Sequence, residues 1–396
     1  MFPKDDVYTI PLPGSNLVFT RYLYLKDEVK ISLLISILNK HTDAIFWGYE
    51  LFYSGFQLEL FELLWTIYYD FFATLNPSFE VYLLKKQKEV FMNTNTNNQE
   101  SITFISAIIQ GLCIREYNTD IFKLRQITKL FEVVPEYTNK KVPETFKEVI
   151  SQIKIWDKNK DYASIGYYIL SHNTKFDLFE ILLSLNVHKR ILKGYSQIIK
   201  NSEDISRTKK ISPKIIGLTK IFSHLTDNDI TKINKYIRVV PHDIIIYDTI
   251  TVDDGILPYR ILQHACICGI NDLKYLSLFH LERYTTKKID EIYNRDWLYH
   301  ASFSPVWKKR IQLYKGYIDY TNKSVEFIND DYLDAFYESF GYEPDEQPVW
   351  VKNRTIVDID NIYNLNDFER IHGINNRVVI EPDILSELNM EKIVYL

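Results

Sequence analysis

Hydrophobic positions recur with a helical period over most of residues 27–320. The clearest run covers 61–75, where apolar side chains fall at i, i+3, i+4 and i+7: Phe61, Leu64, Trp65, Tyr68, Phe71, Phe72 and Leu75. Asn76-Pro77 ends this helix, because a residue before proline is pushed out of the α region. Further helical segments follow at about 101–115, 119–133, 143–156, 162–171, 175–186 and 188–200. The short loops between them predict a mainly α fold of stacked antiparallel helix pairs, either HEAT-like or an irregular helical array.

Alternating segments near the two ends of the chain predict small β additions to this helical fold. Residues 7–24 alternate between apolar and polar positions and contain prolines, which favours a hairpin or an extended arm. The polar run 201–213 is the best candidate for a linker or a mobile loop, since it has no large apolar cluster to bury. We therefore predict an extended or β arm (1–26), an N-terminal helical domain (27–200), a polar loop or linker (201–213) and a C-terminal α+β domain (214–396).

Length and composition narrow the class of protein. A chain of 396 residues exceeds one ordinary core and favours two or three domains. Only 12 residues are glycine, which argues against a turn-rich sheet fold and a glycine-rich phosphate loop. The three cysteines suit a reducing compartment. We recognise neither a secretory signal nor an apolar run near the roughly 18 residues that a membrane span requires, so we expect a soluble intracellular protein.

Residues 41–84 form an aromatic segment with an unusual charge pattern. Twelve aromatic side chains lie between Phe46 and Phe72, which predicts a large core. The segment has no Lys or Arg but holds six carboxylates: Asp43, Glu50, Glu59, Glu62, Asp70 and Glu80. These groups are expected to face water, to pair with a basic part of the chain, or to meet a basic partner. We select Glu50, Glu59 and Glu62 as candidate contacts to a basic partner.

Charge is segregated elsewhere too. Residues 181–226 hold nine Lys and Arg against two acids, a local net charge of 9 − 2 = +7. Residues 324–351 hold eight acids and no Lys or Arg, and of these Asp330, Asp331 and Asp334 are further candidate contacts to a basic partner. Two interpretations of the basic block stay open: docking on acidic faces of the same chain, or contact with RNA, DNA or an acidic partner. Its candidate contact residues are Lys189, Arg190, Lys193, Arg207, Lys209, Lys210 and Lys214.

Residues 294–320 interleave cations with aromatic side chains. Stacking rings beside cations bind single-stranded nucleic acid, so Trp307, Lys308, Lys309 and Arg310 are candidate RNA contacts. The alternative is a core helix with Trp307 turned inward and the three cations in water. Amphipathic helices commonly have this pattern, which favours the alternative.

No catalytic or metal-binding motif stands out. His264, Cys266 and Cys268 are the one cluster with ligand chemistry, but residues two apart on a helix point about 200° apart, and a fourth ligand is missing. Buried thiols are the simpler interpretation. The chain has no G-x-S-x-G, H-E-x-x-H, G-x-G-x-x-G or P-loop motif. We predict no catalytic residue, cofactor, metal or small-molecule substrate.

Four stretches resemble an uncharacterised protein family of nucleocytoplasmic large DNA viruses: 44–56, 64–77, 296–311 and 336–347. The resemblance implies a setting in the host cytoplasm, at the viral factory, and a role in viral gene expression or particle assembly. It implies no activity and no catalytic residue.

A second likeness is architectural. Stacked helix pairs with segregated charge look like the HEAT-type middle domain of the eukaryotic cap-complex scaffold, which binds an RNA helicase and RNA. That scaffold recruits the cap-binding protein with a peptide of Tyr, four residues, Leu and an apolar residue. The nearest stretch here, Tyr117 followed by Phe122, lacks both the Leu and the apolar residue after it.

Together these observations predict a non-enzymatic, virus-encoded helical scaffold for protein partners, with single-stranded RNA as a further candidate partner. Translation initiation or transcription is the expected context. A structural or minor capsid component of the virion and an enzyme with a divergent site are the alternatives.

Overall fold

The computed structural model describes residues 17–92, 98–131, 142–172, 175–200, 211–225, 275–276, 281–282, 295–340 and 365–379. These residues are mainly helical, which confirms the predicted class. The helices are α1 (Lys26–Leu38), α2 (Asp43–Tyr53), α3 (Gln57–Ile67), α4 (Phe79–Met92), α5 (Asn98–Cys113), α6 (Asp120–Phe131), α7 (Phe146–Lys158), α8 (Tyr162–Tyr167), α9 (Leu178–Ser184), α10 (Lys189–Lys200), α11 (Pro213–Leu225), α12 (Trp297–Ala301), α13 (Pro305–Leu313), α14 (Asp330–Phe340) and α15 (Leu365–His372). Two π-helical turns, Tyr68–Phe72 and Tyr168–His172, continue α3 and α8. None of the described helices is both long and apolar enough to cross a bilayer.

The described strands form two short antiparallel pairs. Strand β1 (Tyr275–Leu276) pairs with β2 (Leu281–Glu282), and β3 (Gly316–Asp319) pairs with β4 (Ser324–Phe327) in a hairpin. The predicted N-terminal β arm is represented by a single bridge between Phe19 and Leu25, and residues 1–16 lie outside the described part of the chain.

The chain forms two compact units, each built from three separate segments. Unit 1 comprises Met1–Ile35, Tyr49–Gln57 and Tyr247–Ile362, and unit 2 comprises Ser36–Gly48, Leu58–Ile246 and Tyr363–Leu396. The predicted loop or linker covers 201–213, of which residues 201–210 lie outside the described part of the chain. Helix α11, which follows that run, packs against α9 and α10, which precede it.

Local sequence signals explain where several helices begin. Thr145 and Glu148 form a capping box at the start of α7, each side chain bonding the other residue's backbone N–H. Helix α13 begins with Ser304 as its N-cap and Pro305 in its first turn, where a proline needs no N–H partner. The side chain of Asn329 accepts a hydrogen bond from the backbone N–H of Tyr332 and so caps α14.

The core of unit 2 is built around residues 58–75 of the aromatic segment. The predicted apolar stripe is buried at every position: Phe61, Leu64, Trp65, Tyr68, Phe71, Phe72 and Leu75. In the π-helical turn that follows α3, the backbone N–H of Ala73 donates to the carbonyl of Tyr68. All five residues of the turn are buried, because α6 and α11 both pack against it.

Two carboxylates of the aromatic segment form ion pairs with cations that lie far away in the sequence. In unit 2, Nζ of Lys220 lies 2.6 Å from Oε2 of Glu80, and the hydroxyl of Tyr69 donates to Oε1 of Glu80 at 2.7 Å. The guanidinium of Arg125 lies 2.6 Å from the buried Asp70. Lys220 belongs to the basic block, so at Glu80 this block contacts an acidic group of the same chain.

The segment that begins with α15 is anchored on the start of α6 within unit 2. Oδ1 of Asp120 accepts the backbone N–H groups of Arg377 and Val378, each at 2.9 Å. Nζ of Lys123 lies 2.5 Å from the carboxylate of Glu369. Burial raises the pKa of Asp120 to about 6, although the two N–H groups oppose this shift.

Aromatic packing supplements these polar contacts. The ring of Phe368 packs on Phe122, with centroids 5.2 Å apart, and edge-on to Phe71. The hydroxyl of Tyr117 shares a 2.7 Å hydrogen bond with Nδ1 of His372. Burial lowers the pKa of His372 to about 4, so the imidazole is neutral in this contact at neutral pH.

Unit 1 has a core of its own. It consists of Leu17, Phe19, Leu23, Leu25, Trp297, Ala301, Trp307, Ile311 and Phe336. The indole N–H of Trp307 donates to the carbonyl of Thr20 at 3.0 Å, which joins α13 to the N-terminal segment of the unit.

Candidate functional site

Exposed apolar side chains concentrate on one part of unit 1. Among the described residues of this unit, the large apolar side chains that stay exposed are Leu313, Tyr317, Tyr320, Ile328 and Tyr332. We call these five side chains the hairpin surface, because they flank or belong to the β3–β4 hairpin. Leu313 is 66% exposed and Ile328 67%. Single exposed apolar residues are ordinary, whereas a contiguous exposed apolar patch is typical of an interaction site. The five side chains of the hairpin surface all lie within 20 residues of sequence.

The hairpin register explains why these side chains are displayed. Gly316 pairs with Phe327 and Tyr317 with Glu326, so Leu313 and Ile328 lie at the same end of the hairpin. Side chains that lie directly opposite each other in an antiparallel strand pair project from the same face. Tyr317 and Glu326 therefore share one face, and the tyrosine hydroxyl donates to the glutamate at 2.6 Å. This bond raises the pKa of Tyr317.

Glycine is required where the hairpin meets α13. A Cβ at Gly316 would lie 2.6 Å from Cγ2 of Ile311 and 2.9 Å from the ring of Phe327. The strand can approach the helix this closely only without a side chain at that position.

The other end of the hairpin is held by its own turn. The carboxylate of Asp319 accepts the backbone N–H groups of Thr321 at 2.8 Å and Asn322 at 3.0 Å, and also the side-chain amide of Asn322. The hydrogen bonds from Asn322 lower the pKa of Asp319. Such side-chain-to-backbone bonds fix a turn locally. The hairpin surface is thus preorganised by contacts within unit 1.

Helix α14 places an acidic face beside the hairpin surface. Asp330, Asp334 and Glu338 occur at i, i+4 and i+8 and are exposed, as is Asp331, whereas Phe336 is buried. No ion pair joins these carboxylates to a cation in the part of the chain that the structure describes. The N-terminal end of the helix dipole stabilises Asp330 and Asp331, which lie in the first turn, but this effect does not extend to the later turns.

Helix α13 carries the predicted cations and the tryptophan. Trp307 is 1% exposed and fills the core of unit 1, as the favoured core-helix alternative predicts, so its ring is not a candidate for stacking on RNA. The guanidinium of Arg310 lies 4.6 Å from the Trp307 ring centroid and 5.0 Å from that of Phe340. Lys308 and Lys309 face solvent, as the core-helix alternative expects.

The basic block presents few exposed cations among the residues that the structure describes. Lys189 and Lys193 are exposed one turn apart on α10. Lys214 is half-buried and its ammonium donates to the carbonyl of Leu170 at 2.9 Å. The side chain of Arg190 and the whole of residues 201–210, with Arg207, Lys209 and Lys210, lie outside the described part.

The acidic candidates are separated by the fold. Glu50 is completely buried in unit 1, where its carboxylate accepts the Nε–H of Arg21 and the backbone N–H of Tyr22, each at 3.0 Å. The prediction that Glu50 contacts a basic partner is therefore wrong, because a cation of its own unit already occupies it. Glu59 and Glu62 lie half-buried on α3 in unit 2.

Sequence reasoning missed Leu313 and Ile328. Apolar and polar residues alternate briefly on both sides of the Asp319 turn, which is typical of a hairpin. A hairpin brings the residues just before and just after it together. Their exposure has no sequence signal, because an isolated Leu or Ile looks the same in a core or on a surface.

The buried titratable groups form no reactive arrangement among the described residues. Burial raises the pKa of the Cys113 thiol to about 12, which keeps it protonated and a poor nucleophile. Burial lowers the pKa of His300 to about 4. No group of three or more His, Cys, Asp and Glu in the described residues is arranged to hold a metal ion. The predicted cluster of His264, Cys266 and Cys268 lies outside them.

No protein-family model, curated protein sequence or solved structure matches this chain. The resemblances to a giant-virus family and to the cap-complex scaffold therefore stay predictions from the sequence.

Proposed function

We propose that this chain is a helical interaction protein that binds a partner protein through the hairpin surface of unit 1. The observation that carries the proposal is the concentration of five exposed apolar side chains in and beside a hairpin whose turn is held by Asp319. Tyrosine is enriched at protein interfaces and at their energetic hot spots. Exposed Leu and Ile side chains add apolar area that a partner can remove from water.

Energetics support this assignment. Complete burial of a Leu or Ile side chain contributes roughly 1.5–3 kcal/mol. Leu313 and Ile328 are each about two-thirds exposed, so covering either one would contribute about 1–2 kcal/mol to binding. Association also loses less conformational entropy when the surface is already ordered.

The biological context remains part of the proposal. The sequence resemblance supports a scaffold role in viral gene expression, in translation initiation or transcription, within the host cytoplasm. RNA binding by the basic block stays a separate prediction, since two of its candidate cations, Lys189 and Lys193, are exposed on the described part of α10.

The proposal is tested by affinity capture with a pair of matched variants. Leu313→Ser with Ile328→Ser removes two anchors of the hairpin surface. Ile155→Ser with Leu183→Ser makes the same change at two exposed positions of unit 2. Proteins captured by each are quantified by mass spectrometry after equal melting temperatures have been verified.

We expect at least one protein to be captured equally by wild type and by Ile155→Ser with Leu183→Ser. The same protein should not be captured by Leu313→Ser with Ile328→Ser. Identical capture by wild type and both variants would refute the proposal, because no captured protein would then depend on the hairpin surface.

A further inference from the structure

We infer that the partner segment is basic: it places apolar side chains on the hairpin surface and Lys or Arg side chains along the acidic face of α14. This inference rests on the proposed function and adds the chemistry of the partner.

The acidic face has the geometry of a linear recognition strip. Asp330, Asp334 and Glu338 are spaced by four residues, which is about 6 Å of helix rise per step. Like charges at this spacing destabilise a helix when nothing neutralises them. Favourable interaction with the helix dipole compensates for this at Asp330 but not at Asp334 or Glu338. A cationic partner would neutralise all three.

Apolar anchors lie at the N-terminal end of this strip. Ile328 directly precedes the N-cap Asn329, and Tyr332 belongs to the first turn of α14. Because Gly316 pairs with Phe327, Leu313 lies at the same end of the hairpin as Ile328. One partner segment that starts on these apolar side chains and continues along α14 would meet three carboxylates in succession.

Charge favours a basic protein segment over RNA at this location. Phosphates would be repelled by the four acidic side chains of α14, which has no Lys or Arg. The ring of Tyr317 is held by its hydrogen bond to Glu326, which adds a further carboxylate beside any base stacked there.

Fluorescence anisotropy with synthetic probes tests the inference. The main probe is a labelled peptide whose first part carries Leu and whose following part carries Lys, in the order that the hairpin surface and the acidic face of α14 would meet them. One control peptide replaces Lys by Glu, a second replaces Leu by Ser, and an oligouridine tests the RNA alternative. Each is titrated with the full chain at low and at physiological salt.

Two charge variants with equal change in net charge locate the binding site. Asp334→Lys with Glu338→Lys reverses the acidic face of α14, and Glu100→Lys with Glu180→Lys reverses two exposed carboxylates of unit 2. We expect the affinity of the Leu/Lys peptide to fall about tenfold or more for Asp334→Lys with Glu338→Lys. For Glu100→Lys with Glu180→Lys it should fall less than about twofold. The variant Leu313→Ser with Ile328→Ser should also lose about tenfold.

Equal affinity of the Leu/Lys peptide for the two charge variants would overturn the inference, as would tighter binding of oligouridine or of the Glu peptide. The proposed function fails separately. If a captured partner depends on Leu313 and Ile328 but binds the α14 charge variant normally, the interaction surface stands and only its basic partner is refuted.

Discussion

Replacing Lys220 by Met tests the interaction that holds α4 to α11 in unit 2. Nζ of Lys220 lies 2.6 Å from Oε2 of Glu80, and both side chains are almost completely buried. Removing the ammonium leaves a buried carboxylate without a cation. We expect the free energy of unfolding to fall by about 3–5 kcal/mol, the usual cost of breaking a buried ion pair by removing one partner.

The separation of the two atoms sets the scale of this effect. At 2.6 Å and an effective dielectric constant of about 20, their Coulomb attraction is roughly 6 kcal/mol. Desolvation of both groups offsets much of that attraction. Replacing both partners should therefore cost less than the sum of the single replacements. For Lys220→Met combined with Glu80→Gln, we expect a coupling energy of about 2 kcal/mol or more.

Urea titration followed by circular dichroism and tryptophan fluorescence measures these changes. Trp65 stacks on Tyr69 with ring centroids 5.7 Å apart, and Tyr69 donates to Glu80, so indole fluorescence reports directly on the site. Lys193→Met is the matched control, because Lys193 is an exposed lysine of the same basic block. The control should change the free energy of unfolding by less than about 0.5 kcal/mol.

Two results would refute this reasoning. One is a Lys220→Met variant that is as stable as Lys193→Met, with the same slope of unfolding free energy against urea concentration. The other is strict additivity of the Lys220 and Glu80 substitutions, since groups that interact directly do not behave independently.

Five further substitutions test other parts of the structure. The pKa of Asp120 is raised from 3.8 to about 6, so its contribution to stability is greatest below pH 4 and is lost as the pH rises to 6. Urea titrations across this pH range should show that Asp120→Asn removes this fall in the free energy of unfolding. Gly316→Ala should destabilise unit 1 by about 1–3 kcal/mol in thermal melts, whereas Lys315→Gly, at a residue with φ of +59°, should be neutral or stabilising. Phe368→Ala should cost about 3–5 kcal/mol, and Ile374→Ala, at a side chain 85% exposed, less than about 0.5 kcal/mol; hydrogen exchange at α15 distinguishes the two.

Sequence reasoning was most successful where one local pattern decided the outcome. The spacing of apolar residues in 61–75 identified a buried helix face, and the structure buries each of them. The pattern did not reveal that the helix widens into a π-helical turn at Tyr68–Phe72. A run of five residues that is buried on all sides has no preferred face, so periodicity gives no signal there.

The candidate site was predicted only in part. The acids Asp330, Asp331 and Asp334 were identified from charge alone and are exposed on α14. Glu50 belonged to the same set, yet it is buried beside Arg21, which lies 29 residues away. Charge composition cannot separate these cases, because it does not tell which acids have a cation beside them.

The sequence by itself determined the helical class and the aromatic core, because helix periodicity and ring content are properties of neighbouring residues. Only the tertiary structure decided the ionic partners and the exposed anchors. Glu80 meets Lys220 across 140 residues of chain, and Leu313 and Ile328 stay in solvent while Trp307 is covered. Pairing and exposure depend on segments far apart in the sequence, and no local pattern encodes their approach.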